Sequence, residues 1–412
     1  MRILMLAPQV PYPPYKGTTA RNLNLLKNLA TRHEVSLLCF GSHADEPGVA
    51  MLRQICQDVH VVPAPVRSKT ARLWSIASTS LPDLVLRLSS RGFADVLVRL
   101  LGQREFDLVQ IEGLEMARHW QMAAESTAEV RNPLVVLDEH NAEYVLQQRA
   151  CWTDSRRPSK WHGALYSFIQ WQKLRRYEAG FCRKVDGVVA VSEADRRALQ
   201  SIAGPLRTVV IPNGVDVEYF VPPKDLGPSR QQATMVFVGT MDFRPNVDAV
   251  VWFCDEILPR VQRSVADASL SIVGNNPKGE VRTLARRQGV VVTGFVEDVR
   301  PLVRAASAYV VPLRYGGGSR FKVVEAMAMG APVVTTTLGC EGIAVAPGRD
   351  VLVADSPEEF AAATIRLLRD ADLGKGMGER AREVAETLYD WRRIVPGLDD
   401  FYRQLTYGKL LT

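Results

Sequence analysis

The sequence predicts an α/β protein of two doubly wound, Rossmann-like domains, each built on a parallel sheet. Three observations predict it. Short runs rich in Val, Ile and Leu alternate with helical stretches through both halves of the chain. Most of these runs are apolar without alternation, as strands covered on both faces are. The scheme breaks once, in a stretch rich in Pro, Gly and polar residues, and then restarts. At 412 residues, the chain is also too long for one ordinary core.

In the first half, strands are predicted at 2–7, 34–40, 58–62, 107–111, 134–138, 187–191 and 208–211, with helices that include 18–31 and a long one over 160–183. Glu193 is read as the cap of the helix that follows the sixth strand. The break IPNGVDVEYFVPPKDLGPSRQQAT places a domain boundary after residue 212. The second domain, 213–388, has strands predicted at 234–238, 269–273, 290–292, 308–311, 332–335 and 351–353. A last helix within 389–412 crosses back onto the first domain. Ligands of such sheets bind at the carboxyl ends of the strands, where the strand order reverses.

Hydrophobic residues at 47% and charged residues at 23% describe a globular chain. The six cysteines show no CxxC spacing and read as buried thiols. No apolar run reaches the roughly 18 residues that cross a bilayer. The N-terminal MRILMLAPQVPYPP reads as a buried strand rather than a signal peptide, so a cytoplasmic protein is expected. The net charge of +6 is concentrated between Arg149 and Lys184, where nine cations face two carboxylates. Trp152, Trp161, Tyr166, Phe168, Trp171, Tyr177 and Phe181 fall in the same window. Two readings fit: a surface facing anionic lipid, or a solvated helix whose aromatics face the core. No nucleic-acid recognition motif accompanies the charge.

The densest chemistry lies in GGGSRFKVVEAMAMGAPVVTTT, Gly316 to Thr337. Gly316, Gly317 and Gly318 can bring backbone N–H groups against a ligand, and a helix is predicted from Phe321. Free amides at a helix start favour anions, and Arg320 and Lys322 add full charges there. Glu325, one turn deeper, can accept hydrogen bonds from two ribose hydroxyls. A sugar nucleotide fits this set; a tight strand-to-helix turn with no ligand is the alternative. The chain lacks a Walker spacing and any GxGxxG after a first strand.

Together with IPNGVD (211–216), GFVEDV (294–299) and the N-terminal YPPYKGTTARNLNLLKNLA, this segment resembles the GT-B glycosyltransferases, specifically family 4, over essentially the whole chain. The resemblance is closest to a bacterial subgroup linked to exopolysaccharide and PEP-CTERM systems. It implies a retaining transfer from a UDP or GDP sugar to a glycan or polyprenyl-linked acceptor, without a metal or other cofactor, at the inner face of the membrane. The leaving phosphate would act as base for attack on the same face. Glu325 matches the ribose-binding glutamate, and Arg320 and Lys322 fall where cations hold the diphosphate. Gly17 matches the glycine whose backbone approaches the phosphate. His140 matches a histidine near the donor sugar and acceptor, and Gly294 and Phe295 would lie near the base. Gly239, Gly316, Gly317, Gly318 and Ser319 complete the implied donor contacts. Two positions depart from the family. Gly317 stands where a second glutamate is common, and Thr240 and Pro245 replace an arginine and a lysine, leaving Arg320, Lys322 and Arg244 to supply charge. A sugar-nucleotide 2-epimerase and a noncatalytic nucleotide-sugar-binding partner are the competing readings.

Overall fold

The computed structural model describes residues 1–14, 17–42, 47–126, 133–156, 161–222, 233–315 and 321–410, with backbone alone at 47, 69, 73, 409 and 410. The chain divides after Pro212 into two compact units, and Ile394–Thr412 belongs with the first.

The first unit is built on seven strands: β1 (Arg2–Ala7), β2 (Glu34–Gly41), β3 (Asp58–Pro63), β4 (Leu108–Glu112), β5 (Leu134–Glu139), β6 (Gly187–Ala190) and β7 (Thr208–Val210). They pair in parallel in the order β3-β2-β1-β4-β5-β6-β7. The order reverses between β1 and β4, which makes the carboxyl ends of the central strands the natural ligand position. Strands β4, β5 and β6 are buried throughout, the pattern of a sheet covered on both faces. The Gly17–Leu29 helix turns Leu23, Leu25, Leu26 and Leu29 inward, and Arg21 and Asn22 are buried with them. Strand β5 runs one residue beyond the predicted end, to Glu139. Successive strand residues face opposite sides, so Asp138 and Glu139 enter different environments. The Trp391–Leu410 helix docks Phe401 and Leu405 against β6, where a Cβ on Gly187 would meet them at 2.8 and 2.7 Å.

The second unit is built on β8 (Thr234–Val238), β9 (Ser269–Val273), β10 (Val290–Gly294), β11 (Ala308–Val311), β12 (Val333–Thr335) and β13 (Leu352–Val353). The order β10-β9-β8-β11-β12-β13 is again all parallel and reverses between β8 and β11. The Phe321–Ala328 helix follows β11 and buries Val323, Val324, Met327 and Ala328. Its first ring, Phe321, packs against Trp391 at 6.5 Å between centroids. No helix among the described residues is long and apolar enough to cross a membrane.

Candidate functional site

In the second unit the carboxyl end of β8 leads to Gly239 and then to the Arg244–Trp252 helix, which carries Asn246. Lys322, in the first turn of the Phe321–Ala328 helix, donates to Asn246 Oδ1 at 2.6 Å, and its ammonium lies 4.5 Å from the centre of the Phe237 ring. Asn246 in turn donates from Nδ2 to the Thr240 carbonyl at 3.0 Å, which fixes the amide with its oxygen toward the lysine. A Cβ at 239 would lie 2.8 Å from Asn246 Nδ2 and 2.9 Å from Lys322 Nζ, so a side chain there would push the pair out of place. Gly274, at φ +154°, passes so close to the Gly239 carbonyl that any side chain would collide with it.

Glu325 lies one turn beyond Lys322 and is half-buried. Burial pushes its carboxyl up to about 7 against the pull of Lys322. Among the described residues no hydrogen-bond donor is recorded on either oxygen. A carboxylate desolvated by its surroundings, beside an ammonium and short of donors, suits a ligand that brings hydroxyls and a negative charge.

The first unit gathers a second polar group where β4 and β5 end. Glu112 and Asp138 are in register, so their side chains share one face of the sheet. Arg21 meets Asp138 bidentately, through Nε at 3.0 Å and Nη2 at 2.9 Å, and donates from Nη1 to the Ile211 and Pro212 carbonyls. Both partners of this ion pair are essentially inaccessible to water. Glu112, also fully buried, accepts from Gln110 at Oε1 and holds His140 Nε2 at 3.0 Å from Oε2. The Asn22 amide, turned so that its nitrogen faces acceptors, adds a donor 2.8 Å from Oε2. Tyr402 donates to Gln110 and closes the group from the Trp391–Leu410 helix. Burial pulls the His140 imidazole down, but the hydrogen bond to Glu112 and the Asp138 and Glu112 charges outweigh it, and the group sits above its ordinary value.

The sequence shows no metal-like cluster, yet the fold brings ligand atoms of Glu112, Asp138 and His140 within 4.8 Å of one another. The donor set does not fit a cation as it stands: both Asp138 oxygens bind Arg21 and both Glu112 oxygens already accept hydrogen bonds. A metal would have to displace a fully buried guanidinium.

On the other face, Glu139 is wholly buried and neither oxygen has a hydrogen-bond partner among the described residues. Burial, reinforced by the charges of Glu178 and Glu143, holds it well above the usual carboxylate range. Glu178 accepts from the Glu143 and Tyr144 amides at 2.8 and 3.0 Å, serving the first turn of the Glu143–Ser155 helix, while burial pushes it up to about 8.

Of the residues singled out in the sequence, Gly239, Lys322 and Glu325 fall in the second-unit site and His140 in the first-unit group. Gly17 is the first residue of its helix. Phe295 is exposed just after Gly294, which takes φ +73° at the end of β10. Arg244 lies over the Tyr315 ring, 5.5 Å from its centre. Gly316, Gly317, Gly318, Ser319 and Arg320 lie outside the described residues. Glu193 is not the cap of its helix: Ser192 Oγ accepts from the Asp195 amide, while Glu193 pairs with Arg196, because the shorter hydroxyl reaches the free amide. Sequence reasoning missed Asn246, Glu112 and Arg21. Arg21 had a signal: it repeats with Leu25 and Leu29 on the apolar stripe of its helix.

The aromatic window 149–184 divides between its two readings. Phe181 is buried and stacks with Tyr177, whereas Trp152, Trp161, Leu165 and Phe168 are exposed.

Residues 15–219 match the family model described as Glycosyltransferase Family 4, and residues 232–370 match Glycosyl transferases group 1. An uncharacterized 44.6 kDa protein in the cps region of Klebsiella pneumoniae is 21% identical over 405 residues, covering 95% of this chain and 97% of that one. A phosphatidyl-myo-inositol mannosyltransferase of Mycolicibacterium smegmatis is 32% identical over 215 residues, 50% of this chain and 54% of that one. The matched segment thus spans about half the length of that relative. The structure of Anabaena HepE in complex with UDP and glucose superposes with a TM-score of 0.66 at 16% identity, covering 97% of this chain and 98% of that one.

Proposed function

Since the chain belongs to the family 4, group 1 glycosyltransferases and has their GT-B fold, we propose for it the retaining transfer of a sugar from a UDP or GDP sugar to a glycan or lipid-linked acceptor in bacterial polysaccharide assembly, without a metal ion. The observation that carries this reading is the half-buried Glu325 carboxylate, poor in donors, one helical turn from an ammonium fixed by Asn246. Glu325 accepts from the ribose hydroxyls. Lys322, with Arg320 beside it in sequence, meets the diphosphate and stabilises the charge that grows as the sugar–phosphate bond breaks. Gly239, Gly316, Gly317, Gly318 and Ser319 offer backbone or hydroxyl contacts to the same donor. Phe295 presents a ring for the base, and in the first unit His140 presents an imidazole for the acceptor. The acceptor oxygen bonds to the anomeric carbon on the face the phosphate leaves, and its proton passes to a phosphate oxygen.

Two relatives support the acceptor class: one is encoded in a cps region and one is named for a lipid acceptor. Trp161, Leu165 and Phe168 lie one helical turn apart on the Trp161–Cys182 helix and are exposed, with Arg175 and Arg176 exposed further along it. This face docks on an anionic membrane surface. Flotation with phosphatidylglycerol vesicles should exceed that with phosphatidylcholine alone; equal flotation would remove the membrane part of the reading.

The test of the reaction is incubation of the purified protein with a panel of radiolabelled UDP and GDP sugars and membrane acceptors. Transfer or slow donor hydrolysis supports the proposal. Conversion of the donor to its C2 epimer, or binding without turnover, would replace it.

A further inference from the structure

We propose that Glu112 is a positioning residue for His140: it anchors ring nitrogen Nε2 from inside the fold, so that Nδ1 is the nitrogen left to meet a hydroxyl of the acceptor. The inference rests on the reading of His140 as a substrate contact and adds the device that aims it.

The geometry is that of a held ring. Glu112 cannot rotate to follow its own needs, because it is fully buried and accepts from Gln110 and Asn22 as well as from His140. Gln110 is itself held by Tyr402. Burial and the Asp138 charge push the Glu112 carboxyl up, while its hydrogen bond to His140 and the Arg21 charge pull it down; in its ionised form it is acceptor-only, and His140 then donates from Nε2. In the neutral imidazole this leaves Nδ1 as an acceptor, and in the imidazolium as a second donor. No hydrogen bond to Nδ1 is recorded among the described residues, and the side chain keeps 13% of its surface open. The facing charged groups come from three elements: Glu112 on β4, Asp138 on β5 and Arg21 on the Gly17–Leu29 helix, with Glu143 following in the next helix. Two carboxylates and one guanidinium leave an excess of negative charge that favours the imidazolium, in line with the raised titration of His140. The buried Arg21–Asp138 pair keeps Asp138 engaged, which leaves Glu112 as the partner of the ring.

Nitrogen-15 spectra of histidine-labelled full-length protein read the tautomer directly, with the His140 signals assigned by their loss in His140→Gln. The proposal expects a proton on Nε2 in the neutral form and titration above the ordinary value of 6.5. A proton on Nδ1, or titration below that value, would overturn it. In a transfer assay, Glu112→Gln should move the alkaline limb of the kcat/KM profile to lower pH and reduce kcat by about 10- to 100-fold. It should leave the donor KM within about twofold, because Lys322 and Glu325 hold the donor. A kcat loss with an unmoved pH profile would make Glu112 merely structural and refute its positioning role. If His140→Gln transfers sugar at the wild-type rate, the reading of His140 as a substrate contact fails, and the inference falls with it. If His140→Gln is crippled while Glu112→Gln is unaffected, that reading stands and only the inference is refuted.

Discussion

Replacing Glu325 with glutamine should make the protein more stable and a poorer donor binder at once, and both effects follow from one carboxylate. Burial pushes the carboxyl up to about 7 from the ordinary 4.5. A raised acid binds protons more tightly folded than unfolded, so it contributes a cost that is absent below about pH 4.5 and fully present above about 7. At about 1.4 kcal/mol per pH unit the ceiling is about 3.5 kcal/mol, and partial exposure with solvent screening reduces it to ~1–2 kcal/mol. The amide, of nearly the same shape, removes that term, so Glu325→Gln should melt about 3 to 6 °C higher near pH 8 and at the wild-type temperature near pH 4.5. The donor tells the opposite story. Hydrogen bonds to a charged acceptor are worth about 1.5–3 kcal/mol, so loss of the charge should weaken binding of UDP or GDP by roughly 10- to 150-fold above pH 7. Wild-type affinity should also decline as pH falls through about 7, and the variant should show no such dependence. Scanning fluorimetry and titration calorimetry at several pH values measure both. A variant that binds as tightly as wild type, keeps the pH dependence, or melts lower at pH ~8 refutes the reasoning.

Three further outcomes follow from the same structure. Asn246→Asp sets a carboxylate 2.6 Å from the Lys322 ammonium and gives up the hydrogen bond to the Thr240 carbonyl, so transfer should fall by about 10- to 100-fold in a steady-state assay while the fold is retained. Arg21→Met leaves Asp138 as a buried, unpaired charge and should lower the first unit's unfolding free energy by about 3–5 kcal/mol in urea titrations at neutral pH. Glu139→Met removes a buried acid with no hydrogen-bond partner among the described residues. It should stabilise by about 1–3 kcal/mol, with the gain absent below the ordinary carboxylate value of 4.5 and growing as pH rises above it, since the folded acid is raised.

Much of the fold was legible because its strands are continuous apolar runs. β1, β8 and β9 end where the sequence places them, and β8 and β11 bracket the strand reversal that the Phe321–Ala328 helix follows. Lys322 and Glu325 were legible because helical spacing alone sets them one turn apart at a helix start. What holds Lys322 was not: Asn246 lies 76 positions away in the chain, and only the pairing of β8 with β11 brings the two regions together. The Arg21–Asp138 pair spans 117 positions and joins a helix to a strand two places across the sheet. One extra residue in β5 had a large consequence, since a strand alternates its faces. Asp138 reaches Arg21 while Glu139 is turned toward Glu178 and left without a donor. The same local-only view put a cap at Glu193, where a hydroxyl one residue earlier satisfies the free amide.

The proposed donor site is tested most directly by where a nucleotide binds, and a crystal structure of the protein soaked with UDP or GDP reads that position. The ribose hydroxyls should lie about 3 Å from the Glu325 carboxylate, with the diphosphate within reach of Lys322. A nucleotide whose ribose turns away from Glu325, or that occupies another part of the second unit, would contradict it.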